Sequence, residues 1–357
     1  MGLRQRLWGD VSASPTGPRN LITDVPGVAV GHCDIRGEGL YTGVTAVLPC
    51  ADNPFLHKLP AAAHVINGFG KSCGLVQIAE LGTLESPILL TNTLSVPMAG
   101  HALVEHMLVQ NPDIGDKTGT VNTVVMECND GGISDIRALS VQPGHVRAAL
   151  EAAGPDFEEG AVGAGSGMTC YGLKGGIGSA SRVLDLAGGR YTLGCLVLTN
   201  FGFLGDLTFC GVHLGERLAA RSREAEQGSI ILLLATDLPL SDRQLGRLCR
   251  RASMGIARTG AFTGNGSGEI ALAFSTANRI PHYDDGGLQR AAHLPDSRLD
   301  PVFRAVVSSV EESILSSLCH AETVVGRSGK PTRCLREALR ELRPDPQLEA
   351  LREAFAL

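Results

Sequence analysis

Apolar positions along the 357-residue chain fall into short blocks separated by glycine-rich and polar breaks. The stretch up to about Gly27 is loop-like, rich in Pro, Gly, Ser and Asp. Two segments with many β-branched residues follow, Val28 to Ile35 and Thr42 to Leu48, and both read as strands. Gly74 to Leu81 predicts a short helix, Pro87 to Thr91 a buried strand and Ala99 to Val109 an amphipathic helix. Val121 to Glu127 reads as a strand and Pro143 to Ala153 as a helix. Glycines crowd Gly160 to Ser181, and a strand is expected at Tyr191 to Thr199. The charged stretch Glu216 to Gln227 is the best candidate for an exposed connector. Directly after it, Ser229 to Ala235 (Ser-Ile-Ile-Leu-Leu-Leu-Ala) predicts a buried strand beginning at its first residue. A helix opens at Ser241 or Asp242, both good N-caps, with Leu245, Leu248, Cys249 and Ala252 at helical spacing. Ser267 to Ser275 predicts a strand. Pro301 to Leu318 predicts a long helix with Val302, Val306, Val310, Ile314 and Leu318 on one stripe. Strands and helices alternate loosely and many strands are consecutive, which suggests stacked sheets covered by helices.

Composition narrows the function classes. Hydrophobic residues make up 43% of the chain but aromatics only 4%, so Val, Ile, Leu and Ala must build the core. The 45 glycines are nearly double ordinary usage and have no short period, which points to tight turns and close backbone approaches. A net charge of −6 with mixed signs gives no nucleic-acid footprint. No apolar run reaches the roughly 18 residues of a membrane span. The basic start lacks the apolar stretch of a signal peptide, so the cytoplasm is the expected location. The ten scattered cysteines form no CxxC pair; they read as small buried hydrophobes in a reducing compartment, and no zinc or other metal site is expected.

The obvious catalytic motifs are missing. The segment Gly163 to Gly178 is glycine-rich, but Leu173 precedes Lys174 and Gly175 follows it, so it is no phosphate-binding loop. A loop that lets backbone approach a substrate, with Lys174 near it, fits better. Histidines show no metal spacing, and no Gly-x-Ser-x-Gly elbow lies between a strand and a helix. The Gly228-Ser229 step stands out chemically, although a Gly-Ser junction entering a strand is common. Glycine tolerates strained backbone. A serine hydroxyl held against the preceding carbonyl could attack it and form an ester that water cleaves. The freed α-amine, with a reference pKa of about 8, could then act as base for its own hydroxyl.

A series of ordered segments carries a family resemblance. Asn20-Leu-Ile-Thr-Asp-Val-Pro-Gly-Val-Ala-Val-Gly-His32 is followed by Thr42-Gly-Val-Thr-Ala-Val-Leu-Pro49, Asn67-Gly-Phe-Gly70 and Leu90-Thr-Asn-Thr-Leu-Ser-Val96. Lys174-Gly-Gly-Ile-Gly178, Leu198-Thr-Asn-Phe-Gly202, Gly228-Ser229 and Gly264-Asn-Gly-Ser-Gly-Glu269 complete it. Over nearly its whole length the chain resembles the self-processing L-aminopeptidase/D-esterases, β-peptidyl aminopeptidases and nylon-oligomer hydrolases.

The resemblance implies an α/β fold, a four-layer α/β/β/α sandwich of the N-terminal-nucleophile type, formed by residues 1–357 as one self-processing domain. Cleavage would give an α chain, 1–228, and a β chain, 229–357. Ser229 would be the nucleophile. Ser267 and Glu269 would orient the nucleophile and its amine, with Glu269 also binding the substrate amine. Standing two apart at a strand start, they should face one side. Asn200 would donate to the oxyanion. Lys174 matches a lysine tied to processing or catalysis in the nylon-oligomer branch. Where the aminopeptidases show Glu-Thr-Tyr-Asp-Gly, this chain has Glu127-Cys-Asn-Asp-Gly131, so Asn129 replaces an active-site tyrosine; Tyr171 is an aromatic nearby in sequence. The implied activity is amide hydrolysis at the amino ends of small peptides, amides or esters, without cofactor. The expected assembly is a homotetramer of cleaved αβ units, with no nucleic-acid or membrane partner. Two alternatives stand beside it: an acyltransferase like the ornithine acetyltransferases, which use threonine at the cleavage point, and a non-catalytic member.

Overall fold

The computed structural model describes residues 14–218, 228–343, 348–355 and 357. Its main strands are β1 (Ala29–Gly37), β2 (Leu40–Leu48), β3 (His57–Gly68), β4 (Ile88–Asn92), β5 (Val124–Cys128), β6 (Ile177–Leu186), β7 (Gly189–Asn200), β8 (Ser229–Thr236) and β9 (Gly268–Ser275). The main helices are α1 (Leu75–Leu81), α2 (Val96–Gln110), α3 (Pro143–Glu151), α4 (Asp242–Arg258) and α5 (Asp300–His320). A four-stranded sheet runs β1-β2-β4-β5. A seven-stranded sheet has the order β3-β9-β8-β7-β6, with Ile280–Pro281 beyond β3 and a two-residue strand, Thr83–Leu84, beside it.

Alternation along the strands sorts the side chains of the described residues into three apolar cores, because successive residues point to opposite sheet faces. Leu196, Leu198, Ile231, Leu233 and Leu272 meet Val30, Val47, Ile88, Leu90 and Met126 between the two sheets. Their sequence neighbours Cys195, Val197, Ile230, Leu232 and Ala271 pack instead with Leu245, Leu248, Val306, Val310 and Ile314 of α4 and α5. On the far face of the smaller sheet, Val44, Leu89 and Val125 pack with Ala99, Leu103 and Met107 of α2 and Val146 and Ala149 of α3. The layers are therefore α/β/β/α. A Ser241–Gln244 capping box opens α4, satisfying end amides that the helix itself cannot.

The strand expected from Ser229 is present as β8, and it lies at the centre of the larger sheet, between β7 and β9. Residues on both sides of position 228 thus build one sheet: β3, β6 and β7 come before it, β8 and β9 after. Two strands depart from the expectation. β3 lies where the sequence pattern predicts no strand, and β6 begins inside the glycine-rich stretch expected to be loop. Of the expected connector at 216–227, only 216–218 fall within the described residues.

Candidate active site

Three strand ends converge. β7 runs antiparallel to β8 with Asn200 opposite Ser229, and β9 runs parallel to β8 with Gly268 beside Ser229 and Glu269 beside Ile230. The Ser229 hydroxyl donates to the Gly228 carbonyl at 2.5 Å. The Gly268 amide donates to the same carbonyl at 3.0 Å. The carbonyl of the peptide bond preceding Ser229 is thus held by the Ser229 hydroxyl and by a fixed backbone dipole. Only glycine fits at 228: a Cβ there would sit 2.4 Å from the Asn200 carbonyl oxygen and 2.8 Å from the Phe201 Cα.

Ser229 opens onto a cavity of about 700 Å³. Asn200, Asn129, Glu127, Thr169 and Gly228 share its wall. The Asn200 amide is held at both ends. Its Nδ2 donates to the Asn129 carbonyl at 2.8 Å. Its Oδ1 accepts from the Thr169 amide at 3.0 Å and the Thr169 hydroxyl at 3.2 Å. Its second Nδ2 hydrogen has no acceptor among the described residues. The Asn129 side chain accepts from the Gly131 amide at 2.8 Å, an Asx turn that shapes the loop after β5. Tyr171 does not fill the place of the missing tyrosine. It is fully buried, with its hydroxyl 2.6 Å from that of Thr259.

Ser267 and Glu269 are fully buried and flank Gly268; a Cβ at that glycine would lie 3.1 Å from the Ser229 Oγ. Neither lines the cavity. The Ser267 hydroxyl has no hydrogen-bond partner among the described residues, an expense that a buried polar atom seldom bears without a use. Lys174 lies behind the wall, also fully buried. Its ammonium donates to the carbonyls of Gly165, Met168 and Gly175 at 2.9, 2.8 and 2.7 Å. Burial pushes its pKa down to about 7. The three acceptors oppose that drop, since only the ammonium has three hydrogens to give. It knits the loop that carries Gly167 and Thr169 to the cavity.

The sequence pattern does not single out Glu127 as a site residue, yet among the described residues it is the one carboxylate on the cavity wall. One oxygen accepts from the Lys71 amide at 2.7 Å, and the other accepts from the Thr93 hydroxyl. A carboxylate next to the end of an otherwise apolar strand (Val-Val-Met-Glu-Cys) is the signal that marks it. Asp130 is fully buried one residue beyond Asn129. Burial pushes its carboxyl up to about 6, which nearby Thr42 and Asn92 partly offset. No group of three or more His, Cys, Asp or Glu among the described residues could hold a metal ion.

Comparison with known proteins bears on the family and the fold. The chain is 37% identical over 356 residues to the β-peptidyl aminopeptidase BapA of Sphingosinicella microcystinivorans, spanning 92% of this chain and 88% of that one. The PH0078 protein of Pyrococcus horikoshii OT3 superposes with a TM-score of 0.89 at 47% identity, covering 94% of this chain and 97% of that one. The L-aminopeptidase D-Ala-esterase/amidase of Ochrobactrum anthropi, described as a prototype serine aminopeptidase with a variant Ntn-hydrolase fold, gives a TM-score of 0.85 at 36% identity, covering 92% and 96%. The sequence pattern of peptidase family S58 matches residues 20–332, and on this match and these relatives the chain belongs to peptidase family S58.

Proposed function

We propose that this chain is an aminopeptidase that cleaves itself between Gly228 and Ser229 and then uses Ser229 as an N-terminal nucleophile on small amine-bearing peptides, amides or esters. One observation carries the reading: the Ser229 hydroxyl at 2.5 Å and the Gly268 amide at 3.0 Å converge on the Gly228 carbonyl oxygen. In the self-cleavage, Ser229 Oγ attacks the Gly228 carbonyl carbon. The Gly268 N–H stabilises the charge that develops on the oxygen. The C–N bond breaks, the nitrogen takes the hydroxyl proton, and an ester remains. Water hydrolyses it, leaving a Gly228 carboxylate and a Ser229 α-amine.

The same parts then serve turnover. The α-amine, with a reference pKa of about 8, takes the Ser229 hydroxyl proton as Oγ attacks the substrate carbonyl. Departure of Gly228 frees the Gly268 amide for that carbonyl, and the uncommitted Asn200 Nδ2 hydrogen supplies a second donor. The leaving amine takes the proton from the Ser229 ammonium, and water releases the acyl group. Ser267 and Glu269, buried beside Gly268, bracket the new α-amine; the Ser267 hydroxyl is available to it. The substrate's own amine goes to Glu127, the carboxylate on the wall, rather than to Glu269, which does not line the cavity. The charge calls for an amine, and the hydrogen bonds from Lys71 and Thr93 fix where it binds.

Release of the N-terminal residue from dipeptides and aminoacyl p-nitroanilides tests this reading. Wild type should release it, and Ser229→Ala should release none. Equal release by both proteins would remove Ser229 from the chemistry.

A further inference from the structure

The charges on the cavity wall are lopsided. Lys71, Arg137 and Arg327 share it with the single carboxylate of Glu127. The wall is therefore net positive in a chain whose formal net charge is −6. A concave site of one sign concentrates field and selects ligands of the other. An amine alone does not explain this arrangement, since three cations repel it.

The two arginines form a unit. Arg137 follows the turn after β5, and its backbone amide is held by the Asp135 carboxylate at 3.2 Å. Arg327 arrives from a different part of the chain, between the short strands Val324–Val325 and Pro331–Thr332. Its amide donates to the Ile133 carbonyl at 2.8 Å, which locks that turn to the loop carrying Arg137. Asp135 does little to neutralise the pair. Its oxygen lies 3.9 Å from Arg327 Nη1, with both side chains about half exposed. Arg137 forms no ion pair among the described residues. Two guanidinium groups thus border the catalytic cavity with their donors largely unspent. The guanidinium fork matches a carboxylate, giving short, charge-assisted hydrogen bonds. Lys71 is otherwise occupied, its ammonium resting 4.4 Å from the Phe69 ring centre.

We propose that the cavity selects substrates carrying a carboxylate on the leaving side of the scissile amide, held by Arg137 and Arg327 while Glu127 holds the amine. The substrate class is a short zwitterionic peptide, either a free dipeptide through its C-terminal carboxylate or a longer or capped one through an acidic side chain in second position. This inference rests on the aminopeptidase reading above and adds the second anchor.

Three matched peptides test it: Ala-Ala with a free carboxylate, Ala-Ala amide, and Ala-Asp amide. For wild type, kcat/KM should be on the order of tenfold higher for the free dipeptide than for its amide, the worth of one charge-assisted hydrogen bond. Ala-Asp amide ranking with the free dipeptide would show that the arginines take a side-chain carboxylate as well as the C-terminal one, and ranking with Ala-Ala amide would confine them to the C-terminal carboxylate. Arg137→Gln and Arg327→Gln should collapse the preference toward one, mostly through KM, and added salt should do the same to wild type. Equal kcat/KM for all three peptides, or a preference that survives both substitutions, overturns the inference while leaving the aminopeptidase reading intact. Failure to hydrolyse any of the three, or alanine p-nitroanilide, counts against the aminopeptidase reading instead. In that event calorimetric binding of the free dipeptide against its amide still decides the inference: tighter binding of the free acid upholds it, and equal binding ends it.

Discussion

Replacing Gly228 by alanine puts the self-cleavage geometry under direct strain. The new Cβ would meet the Asn200 carbonyl oxygen at 2.4 Å and Phe201 Cα at 2.8 Å. Carbon rests against a carbonyl oxygen at roughly 3.3 Å, so the clash amounts to about 1 Å. Both obstructing atoms are backbone, and Asn200 is paired with Ser229 across the central strands. No side chain can swing away, so the Gly228 carbonyl has to move. The hydroxyl at 2.5 Å and the Gly268 amide at 3.0 Å then lose their common target. Overpacking of this kind costs about 1–3 kcal/mol, and a displacement of about 1 Å at reacting atoms can slow a step on the order of 100-fold. The assay is cell-free translation of labelled wild type and Gly228→Ala, following loss of the full-length band on a denaturing gel. Thermal melting monitored by circular dichroism separates slow cleavage from misfolding. Folded Gly228→Ala that cleaves within twofold of the wild-type rate would refute the argument that this carbonyl's position governs the reaction.

Other residues give separate expectations. Glu127→Gln should lower kcat/KM for an amine-bearing ester on the order of tenfold, while moving its desamino analogue far less; equal losses on the two esters would take the amine away from Glu127. Lys174→Met leaves three buried carbonyls without their donor, at about 1–3 kcal/mol each before relaxation and the relief of burying a charge. A net loss on the order of 3 kcal/mol should appear as a lower urea midpoint at unchanged slope, and an unchanged midpoint would contradict the knitting role. Asp130 carries its proton more tightly in the fold, at about 6 against 3.8 for a free aspartate. Its stabilising contribution is complete below pH 4 and lost as pH rises through 6, a swing of about 3 kcal/mol. Asp130→Asn should therefore gain stability over wild type between pH 4 and pH 7 in urea unfolding; a constant difference across that range would mean that Asp130 is not the titrating group.

The parts of the fold that could be read from the sequence are those where apolar side chains do the packing. β8 announces itself because Ile230 to Leu234 are buried on both faces, and α5 because Val302, Val306 and Val310 form a stripe. β6 was hidden for the opposite reason. It packs on α5 with small and polar residues: Gly178 lies so close that a Cβ would fall 1.9 Å from the Ser313 carbonyl oxygen, and buried Arg182 bonds Glu312 at 2.6 Å. Such a strand reads as loop until its partners are known. β3 was hidden by Pro60 and three successive alanines, residues that seldom mark a strand. In the site, the family resemblance placed Ser229, Asn200, Ser267 and Glu269 near one another in function, and sheet register explains how strand ends far apart in sequence come together. Glu127 escaped because its place on the wall depends on which strand end faces the cavity, and Arg137 and Arg327 because they reach one cavity through a backbone bond between distant turns.

The central claim is that Ser229 becomes an amino terminus. Denaturing electrophoresis of purified wild type and Ser229→Ala, with N-terminal sequencing of every band, tests it most directly. Wild type should give two fragments, the smaller beginning Ser-Ile-Ile-Leu, and Ser229→Ala should run as one intact chain. A wild-type chain that stays whole after long incubation, or a fragment that begins at any other residue, would contradict the account.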